Sequence, residues 1–545
     1  MSDAVLSLRD LSVTLPEGAE RRYAVEGIGY DVAAGEILCV VGESGSGKSM
    51  AANTVMGLLP EGVRPVAGQA LFEGENLLEL DESRHRQLRG LRIGMIFQEP
   101  MTALNPLMRV GAQISEVFEA HGRLKATERR DRALALLTEV GLPQPEKALR
   151  AYPFELSGGQ RQRVVIAMAL ALEPTLLIAD EPTTALDVTT QAQILDLIRD
   201  LQVKHGMAVM FITHDFGVVA EIADRVCVMR DGRIVEMGTA SEVLDHPRHA
   251  YTRALIDAIP SDAAPARREA RTGDPLLEVR RLSRTFRSRG GLFKPTREVH
   301  ALDDVSFSLS RGETIGIVGE SGSGKSTLGR CVVRLERPDS GELLLDGTNL
   351  SDLKGDALRR QRHRIQMVFQ DPFASLNPRT RVGLAIAQGP IASGVPRHQA
   401  LKRARELLEM VGLGDAAERF PHEFSGGQRQ RIGIARALAL EPELIVADEA
   451  VSALDVSIQA QVLELLGDLQ RRFSLSLLFI THDLRVAAQV CDRLIVMQHG
   501  RIVEQGRAED IFRQPREAYT RSLLDAIPGR SRQSRDHDTL AVSQS

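Results

Sequence analysis

A long segment of this chain occurs twice, and this duplication constrains the fold more than any other feature of the sequence. The string "GESGSGKS" begins at Gly42 and again at Gly319, and "SGGQRQR", "ALDV", "FITHD" and "AYTR" each recur in the same order. From "SGGQRQR" onward the second copy is offset by a constant 268 residues, as 425 against 157 and 519 against 251 show. A repeat of this length indicates a duplicated domain and not a solenoid unit.

The duplication divides the 545 residues into two similar domains. We predict the first domain at 1–260, a linker at 261–275, the second domain at 276–530 and a disordered tail at 531–545. The join, "PSDAAPARREARTGDP", is short and rich in Ala, Pro and Arg, which is typical of a flexible surface linker. The tail is polar and lacks the apolar residues that a packed core needs.

Short apolar runs in both copies end at polar residues. Examples are "EILCVVG", "TLLIAD" and "SLLFITHD". Continuous apolarity over so few residues predicts parallel strands that are buried on both faces, and longer segments such as "RQRVVIAMALALE" predict helices. The sequence therefore predicts an α/β fold with its functional residues at the carboxyl ends of strands.

Composition excludes several classes of protein. Lys+Arg 68 against Asp+Glu 73 gives a net charge of -5, so there is no basic excess of the kind that binds nucleic acid. The four cysteines form no C-x-x-C pair, which predicts small buried side chains, no zinc site and no iron–sulfur cluster. No secretory signal pattern is visible, and the apolar runs fall well short of the ~18 residues that span a bilayer. Any membrane role is therefore expected to be peripheral.

The repeated G-x-x-x-x-G-K-S loop follows a predicted strand and precedes a predicted helix, which is the context of a phosphate-binding loop (P-loop). Its glycines bring backbone N–H groups close to phosphate oxygens, and the helix start adds a favourable dipole. We expect Lys48 and Lys325 to contact the β/γ-phosphates, and Ser49 and Ser326 to bind Mg²⁺. A flexible Gly/Ser turn is the alternative for a single match, but it does not explain two matches in register. The predicted nucleotide-binding residues of the loops are Gly42, Glu43, Ser44, Gly45, Ser46, Gly47, Lys48, Ser49, Gly319, Glu320, Ser321, Gly322, Ser323, Gly324, Lys325, Ser326 and Thr327.

Two carboxylates end a predicted buried strand in each copy. Asp180 and Asp448 offer the hard oxygen ligands that Mg²⁺ prefers. Glu181 and Glu449 follow them and are predicted to polarise the attacking water, a role worth about 10²–10⁴-fold in rate. The alternative is a pair of strand-end carboxylates that face solvent.

Four further side chains are candidates because they stand at matched places in the two copies. His214 and His482, each in "THD", are predicted to contact the γ-phosphate, although a lone histidine is more often structural. Gln98 and Gln370, each in "FQ", offer a neutral side chain for the metal or the attacking water. An ordinary polar loop residue is the alternative for both glutamines.

The "SGGQ" element provides a second anion-binding helix start in each copy, and a single phosphate site does not require one. With this element the chain resembles the ATP-binding-cassette (ABC) ATPases over nearly its whole length. The resemblance implies two tandem nucleotide-binding domains, each a P-loop α/β core with an antiparallel β subdomain and a helical subdomain. It also implies head-to-tail packing, so that the "SGGQ" of one half closes over the P-loop of the other. The residues that match the family's interface motifs are Ser157, Gly158, Gly159, Gln160, Ser425, Gly426, Gly427, Gln428, Asp187 and Asp455.

The family also stacks an aromatic side chain, from a segment upstream of the P-loop, on adenine. Phe286 in "LSRTF" fits this role in the second half. The first half has Leu15 in "LSVTL", which leaves Tyr23 as the substitute. An ordinary core or surface aromatic is the alternative at both places.

Segments outside the hydrolysis motifs resemble the ATPase subunits of oligopeptide and dipeptide importers. They include "FQEPMTALNP", "FQDPFASLNPR" and the endings "HPRHAYTRALIDAIP" and "QPREAYTRSLLDAIP". The second half also carries "RGGLFKP", similar to an excursion in the second ATPase subunit of such systems, so the chain resembles two subunits fused. Many members carry a cysteine-rich segment after the first ending; this chain has none there, so we predict no cluster.

This resemblance implies an ATPase whose substrate is ATP with Mg²⁺, bound peripherally to the cytoplasmic face of the inner (plasma) membrane. Its implied partners are two integral-membrane permease subunits, received near 98–155 and 370–423, and indirectly an extracytoplasmic solute-binding protein, with no nucleic acid. The alternative is a soluble twin-cassette ATPase acting on ribosomes or nucleic acid. The short join and the lack of zinc-binding cysteine pairs favour the importer. A regulatory ATPase without transport is a third interpretation.

Overall fold

The structure is a computed structural model, and it describes residues 4–19, 21–98, 103–184, 186–259, 275–288, 297–371, 375–452 and 454–529. Contacts divide the described chain into two compact units, made chiefly of residues 4–259 and 275–527. The predicted linker, except residue 275, and the predicted tail lie outside the described residues. The "RGGLFKP" segment lies outside them too.

The first unit contains a four-stranded sheet and a six-stranded sheet. Its strands are β1 Ala4–Thr14, β2 Tyr23–Ala33, β3 Ile37–Val41, β4 Arg64–Phe72, β5 Glu75–Asn76, β6 Ile93–Ile96, β7 Leu176–Asp180, β8 Ala208–Thr213, β9 Arg225–Arg230 and β10 Arg233–Thr239. The four-stranded sheet is antiparallel with the order β2-β1-β4-β5. The six-stranded sheet has the order β10-β9-β3-β8-β7-β6, in which only β10 is antiparallel to its neighbour.

Helices of the first unit connect these strands. They are Lys48–Met56, Glu82–Leu88, Val110–Ala120, Ala126–Glu139, Pro145–Ala148, Gly158–Ala169, Val188–His205, Phe216–Ile222, Ala240–Asp245 and Ala250–Asp257, with short 3-10 turns at Leu77–Glu79 and Pro153–Glu155. Ile114, Leu137 and Val164 come from three of these helices and pack in one apolar cluster. This cluster is the core of the predicted helical subdomain, and it continues onto one face of the six-stranded sheet.

The second unit repeats this architecture. Its strands are β11 Pro275–Ser288, β12 Arg297–Ser310, β13 Thr314–Val318, β14 Ser340–Leu345, β15 Thr348–Asn349, β16 Ile365–Val368, β17 Leu444–Asp448, β18 Ser476–Ile480, β19 Arg493–Gln498 and β20 Arg501–Arg507. Its helices are Lys325–Val332, Gly355–Arg364, Val382–Ala392, Arg397–Met410, Gly426–Leu438, Val456–Phe473, Leu484–Val490, Ala508–Arg513 and Ala518–Asp525, with 3-10 turns at Gly414–Ala416 and Pro421–Glu423. The sheet orders are β12-β11-β14-β15 and β16-β17-β18-β13-β19-β20, and only β20 runs antiparallel to its neighbour in the second.

The central strands are buried on both faces, as the continuous apolar runs predicted. Along β3 the side chains of Ile37 and Val41 enter the cluster formed with the helices. The side chains of Leu38 and Val40 point the other way, into a cluster shared with the four-stranded sheet and the helix Lys48–Met56. This alternation follows from the two-residue period of a strand, and it confirms the predicted α/β fold with a P-loop core, an antiparallel β subdomain and a helical subdomain in each half.

The four cysteines are buried, as predicted, and Cys39 lies within β3. Burial raises the pKa of the thiols of Cys39, Cys227 and Cys331, so they remain protonated at neutral pH. Across the parts of the chain that the structure describes, no helix has the length and hydrophobicity needed to cross a bilayer.

Candidate active site

Each phosphate loop connects the end of a central strand to the start of a helix. In the first unit the loop follows β3 and leads into the helix Lys48–Met56, and in the second unit it follows β13 and leads into Lys325–Val332. The predicted strand–loop–helix context is therefore present in both units. Backbone N–H groups at such a helix start have no partner within the helix and can bind phosphate oxygens.

A glycine in the left-handed backbone region directly precedes each of these helices. Gly47 has φ 104° and Gly324 has φ 105°. A Cβ atom would lie 2.6 Å from the carbonyl oxygen of Ala24 at the first position and 2.3 Å from that of Ala301 at the second. Both the φ angle and the lack of space therefore require glycine at this point of the loop.

The lysine of each loop is buried and is held by carbonyl oxygens of the loop itself. Lys48 Nζ donates to the carbonyl oxygens of Gly42 at 2.7 Å and Glu43 at 2.9 Å. Lys325 makes the same contacts with the second loop, at 2.7 and 2.8 Å. Burial lowers the pKa of Lys325. The ammonium group is thus positioned inside the loop, where phosphate would bind.

The loop serine of each unit contacts the strand-end aspartate. Ser49 Oγ donates to Asp180 Oδ1 at 3.0 Å, and Ser326 Oγ donates to Asp448 Oδ1 at 2.9 Å. A hydroxyl and a carboxylate are hard oxygen donors, so this pair fits a Mg²⁺ ion that is also bound by nucleotide phosphates. Burial raises the pKa of Asp180 to about 6, against the opposing effect of the Ser49 hydrogen bond, and it also raises that of Asp448.

The glutamate after each aspartate has a strained backbone. Its φ is 47° at Glu181 and 48° at Glu449, in the left-handed region that residues with a side chain rarely adopt. The backbone N–H of Glu181 donates to the carbonyl oxygen of Ile212 at the end of β8, at 2.9 Å, and Glu449 bonds to Ile480 in the same way. Such a backbone costs about 1–3 kcal/mol, and it sets the direction in which the glutamate side chain leaves the end of the strand.

A histidine and a glutamine converge on each of these glutamates. His214 Nδ1 lies 3.2 Å from Glu181 Oε1, and Gln98 Nε2 donates to Glu181 Oε2 at 2.9 Å. In the second unit, His482 Nδ1 lies 3.6 Å from Glu449 Oε1, and Gln370 Nε2 donates to Glu449 Oε2 at 2.6 Å. The structure therefore brings the predicted glutamine, glutamate and histidine of each half together, with the glutamine amide on the glutamate.

These contacts determine the charge on the glutamate. Burial alone would raise the pKa of Glu181, but the adjacent His214 and the hydrogen bond from Thr184 lower it to about 2. Burial and His482 act on Glu449 in the same opposed directions, and its pKa is also lowered. Burial alone would lower the pKa of His482, but Glu449 raises it. Both carboxylates are therefore held ionised, as the polarisation of a water molecule requires.

One contact at the first glutamate was not predicted. Thr184 Oγ1 donates to Glu181 Oε2 at 3.0 Å. The matched residue in the second unit, Ser452, donates to the backbone carbonyl of Glu449 instead, also at 3.0 Å. The sequence indicates this difference between the two units only through the change from "PTTALD" to "AVSALD".

The "SGGQ" elements form the helix starts that were predicted. Ser157 caps the helix Gly158–Ala169, since its Oγ accepts from the Gln160 backbone N–H at 3.3 Å and its own N–H donates to Gln160 Oε1 at 3.0 Å. Ser425 and Gln428 form the same reciprocal cap at the start of Gly426–Leu438. This capping box orders a helix start whose first N–H groups have no partner within the helix, the geometry of an anion site.

The small residues of this element also allow close packing. A Cβ atom at Gly159 would lie 2.4 Å from Thr190 Cγ2, and one at Gly427 would lie 2.3 Å from Ile458 Cγ2.

The two predicted interface aspartates lie next to the helices that follow them. Asp455 is the residue before the helix Val456–Phe473, and Asp187 Oδ1 accepts a hydrogen bond from Thr189 Oγ1 at 2.8 Å.

The predicted adenine-stacking aromatics lie on the antiparallel sheets. Phe286 is on β11 and 38% exposed, and the Arg284 guanidinium lies 4.8 Å from its ring centroid. Tyr23 is on β2, opposite Thr14, and Arg22 lies 5.1 Å from its ring. In the second unit His300 lies opposite Thr285 in the same way, so Tyr23 corresponds to His300 and not to Phe286.

Together these features define the class of protein. Each unit combines a P-loop, a strand-end aspartate on the loop serine, and an ionised glutamate bound by a histidine and a glutamine. This arrangement is typical of the nucleotide sites of P-loop α/β ATPases, and both units contain it.

Comparisons with known proteins identify the family. Residues 25–184 and 302–452 match the family described as "ABC transporter", and residues 235–295 and 503–544 match "Oligopeptide/dipeptide transporter, C-terminal region". The chain therefore belongs to the ABC transporter family, within which it is an ATP-binding ATPase.

Two similar proteins match nearly the whole chain, and a solved structure matches less than half of it. The peptidoglycan transport ATP-binding protein YejF of Agrobacterium fabrum is 48% identical over 96% of this chain and 96% of its own length. The glutathione import ATP-binding protein GsiA of Pectobacterium atrosepticum is 46% identical over 96% of this chain and 89% of its own. A solved structure of an ATP-binding cassette dimer, in a post-hydrolysis state with ADP and Pi, is 30% identical to this chain with a TM-score of 0.39. The match covers 43% of this chain and 98% of the chain in that structure.

The glycine before the loop helix provides a test of this geometry. Gly47→Ala combines a left-handed φ with a Cβ clash against backbone, so we expect it to cost at least about 2 kcal/mol. Gly45→Ala is the matched control, because Gly45 has φ 79° but no atom within 4 Å of the added Cβ. The thermal unfolding midpoint should fall further for Gly47→Ala, and equal losses would contradict the packing described for the loop.

Proposed function

We propose that this chain is the ATP-hydrolysing subunit of an importer for peptides or peptide-like solutes, which pass through separate membrane subunits. The observation that carries the proposal is that each cassette is followed by the C-terminal region of oligopeptide/dipeptide transporters. Relatives that match over 96% of this chain have names that specify peptidoglycan transport and glutathione import. Both observations support the importer over a soluble ATPase acting on ribosomes or nucleic acid.

The roles of the site residues follow from their contacts. The loop N–H groups and Lys48 would bind the nucleotide phosphates, and Ser49 with Asp180 would hold Mg²⁺, which neutralises phosphate charge when bound. Glu181 would polarise the attacking water, with His214 orienting the carboxylate through the 3.2 Å contact. Ser326, Asp448, Glu449 and His482 would act in the same way in the second unit.

Gln98 and Gln370 would connect this chemistry to the rest of each unit. Each donates to the glutamate of its own site. Each also comes shortly after a strand of the six-stranded sheet, before the helices of the helical subdomain in the chain. We propose that a displacement of the glutamine, caused by a membrane subunit bound near 98–155 or 370–423, changes the hydrogen bonding of the glutamate.

Each complete ATP site would be composed from both halves. The family resemblance supports a pairing of Lys48 with the "SGGQ" at Ser425, and of Lys325 with the "SGGQ" at Ser157. The capped helix starts would then direct N–H groups toward a nucleotide bound by the opposite loop. Asp187 and Asp455 would lie at this interface. Closure on ATP and reopening after hydrolysis would drive transport.

The remaining proposals concern partners, location and domain limits. The chain would bind two permease subunits at the cytoplasmic face of the membrane and would receive solute from an extracytoplasmic binding protein. Its domains would extend over 1–260 and 276–530. It would require ATP and Mg²⁺ and neither zinc nor an iron–sulfur cluster.

Removal of the two glutamates tests the chemistry. Glu181→Gln combined with Glu449→Gln keeps the shape of the side chain but not its charge, so ATP binding should persist while hydrolysis falls by about 10²–10⁴-fold. Glu173→Gln with Glu441→Gln is the matched control, since these glutamates also have left-handed φ angles of 53° and 51°. Steady-state phosphate release measures the effect, and unchanged turnover in the first variant would remove both glutamates from the mechanism.

Affinity purification of the full chain from gently solubilised native membranes tests the transport function. Two polytopic membrane proteins should co-purify with it. Ribosomal proteins in place of membrane proteins, or the chain alone, would contradict the importer and leave the ATPase chemistry intact.

Cysteine crosslinking tests the composite sites. Ser44→Cys with Ser425→Cys should crosslink within one chain when ATP is bound to the hydrolysis-deficient variant. Ser321→Cys with Ser425→Cys is the control. This pair should not crosslink, because Ser321 lies in the phosphate loop of the same half as Ser425. The native cysteines are buried and contribute little background. The reverse pattern of crosslinks would contradict head-to-tail pairing.

A further inference from the structure

The repeated "AYTR" motif has no role in the hydrolysis chemistry, yet its tyrosine contacts the phosphate loop. Tyr251 lies on the helix Ala250–Asp257, in the C-terminal part of the first half, and is only 8% exposed. Its hydroxyl accepts a hydrogen bond from the backbone N–H of Glu43 at 3.2 Å and donates to Glu43 Oε2, also at 3.2 Å. One hydroxyl therefore binds both the backbone and the side chain of a loop residue.

The second unit contains the matched contact. Tyr519 lies on the helix Ala518–Asp525, and its hydroxyl accepts from the backbone N–H of Glu320 at 3.1 Å. Burial is the main cause that raises the pKa of both tyrosines to about 12. Both hydroxyls therefore keep their protons at neutral pH and can donate as well as accept.

The contacted residue is also one of the two whose carbonyl oxygens bind the loop lysine. The carbonyl oxygen of Glu43 accepts from Lys48 Nζ at 2.9 Å, while the N–H of the same residue is bound by Tyr251. In the second unit the carbonyl oxygen of Glu320 accepts from Lys325 Nζ at 2.8 Å. The tyrosine is thus connected to the phosphate-binding lysine through a single residue.

The tyrosine helix is itself fixed to the adjacent strand. Glu236 on β10 accepts from the backbone N–H groups of Arg248 at 2.7 Å and His249 at 3.1 Å, directly before the helix. Glu504 on β20 accepts from the N–H groups of Arg516 and Glu517, at 2.9 and 3.3 Å. These hydrogen bonds fix the start of each tyrosine helix, and with it the position of the tyrosine hydroxyl.

We propose that Tyr251 and Tyr519 are positioning residues that pre-organise the two phosphate loops, so that ATP binding at each loop is coupled to the order of the C-terminal helix of the same half. The inference rests on the proposed role of these loops as the ATP sites. A loop that is already fixed by the hydroxyl loses less conformational entropy when phosphate binds. The coupling is reciprocal, so bound ATP stabilises the tyrosine helix in turn.

The ring of Tyr251 contacts an arginine at a position where the second half has a glutamine. The Arg230 guanidinium lies 4.8 Å from the Tyr251 ring centroid, whereas Gln498 occupies the matched sequence position in the second half. A Tyr→Phe substitution removes only the hydroxyl and keeps the ring. An experiment can therefore separate the hydrogen bonds of the hydroxyl from the packing of the ring.

The test uses the full chain carrying Tyr251→Phe and Tyr519→Phe. ATP with Mg²⁺ is titrated by calorimetry, and ATP hydrolysis is measured by phosphate release. We expect the Kd for ATP and the KM to rise roughly three- to tenfold, the range for loss of one or two buried hydrogen bonds, while kcat stays within about twofold. If the tyrosines were purely structural, the substitutions would lower the thermal unfolding midpoint, and KM would not rise while kcat stayed the same.

Tyr30→Phe is the matched control, because the Tyr30 hydroxyl is buried in the same unit and contacts the Met210 sulfur, far in sequence from the loop. Tyr30→Phe should leave the Kd for ATP unchanged.

Hydrogen exchange provides the reciprocal measurement. ATP should slow the exchange of residues 250–257 and 518–525 in the unmodified chain, and this protection should disappear in the Tyr→Phe variant.

The outcomes separate the inference from the function on which it rests. Unchanged Kd and unchanged helix protection in the Tyr→Phe variant, with normal ATP binding by the unmodified chain, would overturn the inference alone. Failure of the unmodified chain to bind ATP would overturn both.

Discussion

Parallel pairing of three buried strands is the constraint on which each site depends. In the first unit β3 lies beside β8, and β8 lies beside β7. Because the strands run in the same direction, the loop after β3, Asp180 at the end of β7 and His214 after β8 meet at one edge of the sheet. The hydrogen bond from the Glu181 N–H to the Ile212 carbonyl extends this pairing into the site, where it fixes the left-handed backbone of the glutamate.

Local sequence was sufficient to predict the strands, the phosphate loops and the residues that follow each strand. These features depend on short-range patterns, namely apolar runs, a glycine-rich loop before a helix, and carboxylates at a strand end. The contact between Gln98 and Glu181 joins residues 83 positions apart, and the contact between Tyr251 and Glu43 joins residues 208 apart. Such contacts depend on the packing of whole elements, so the motif "AYTR" was visible as a repeat while its partner was not.

The two units conserve the chemistry of the site and differ around it. Both hold an ionised glutamate, a histidine and a glutamine together, yet Thr184 bonds the Glu181 carboxylate whereas Ser452 bonds a backbone carbonyl. Phe286 has no aromatic counterpart at Leu15, and Tyr23 lies on the neighbouring strand. The duplication has therefore preserved the same candidate catalytic groups in two different surroundings.

The most direct test of the account is the number of ATP molecules bound per chain. Equilibrium dialysis with radiolabelled ATP and Mg²⁺, on the chain that carries Glu181→Gln and Glu449→Gln, measures this number without loss to hydrolysis. Two ATP molecules should bind per chain at saturation, and a further Lys48→Ala substitution should reduce this number. Saturation at a single ATP per chain in the presence of both lysines would contradict the claim that the duplicated loop forms two ATP sites.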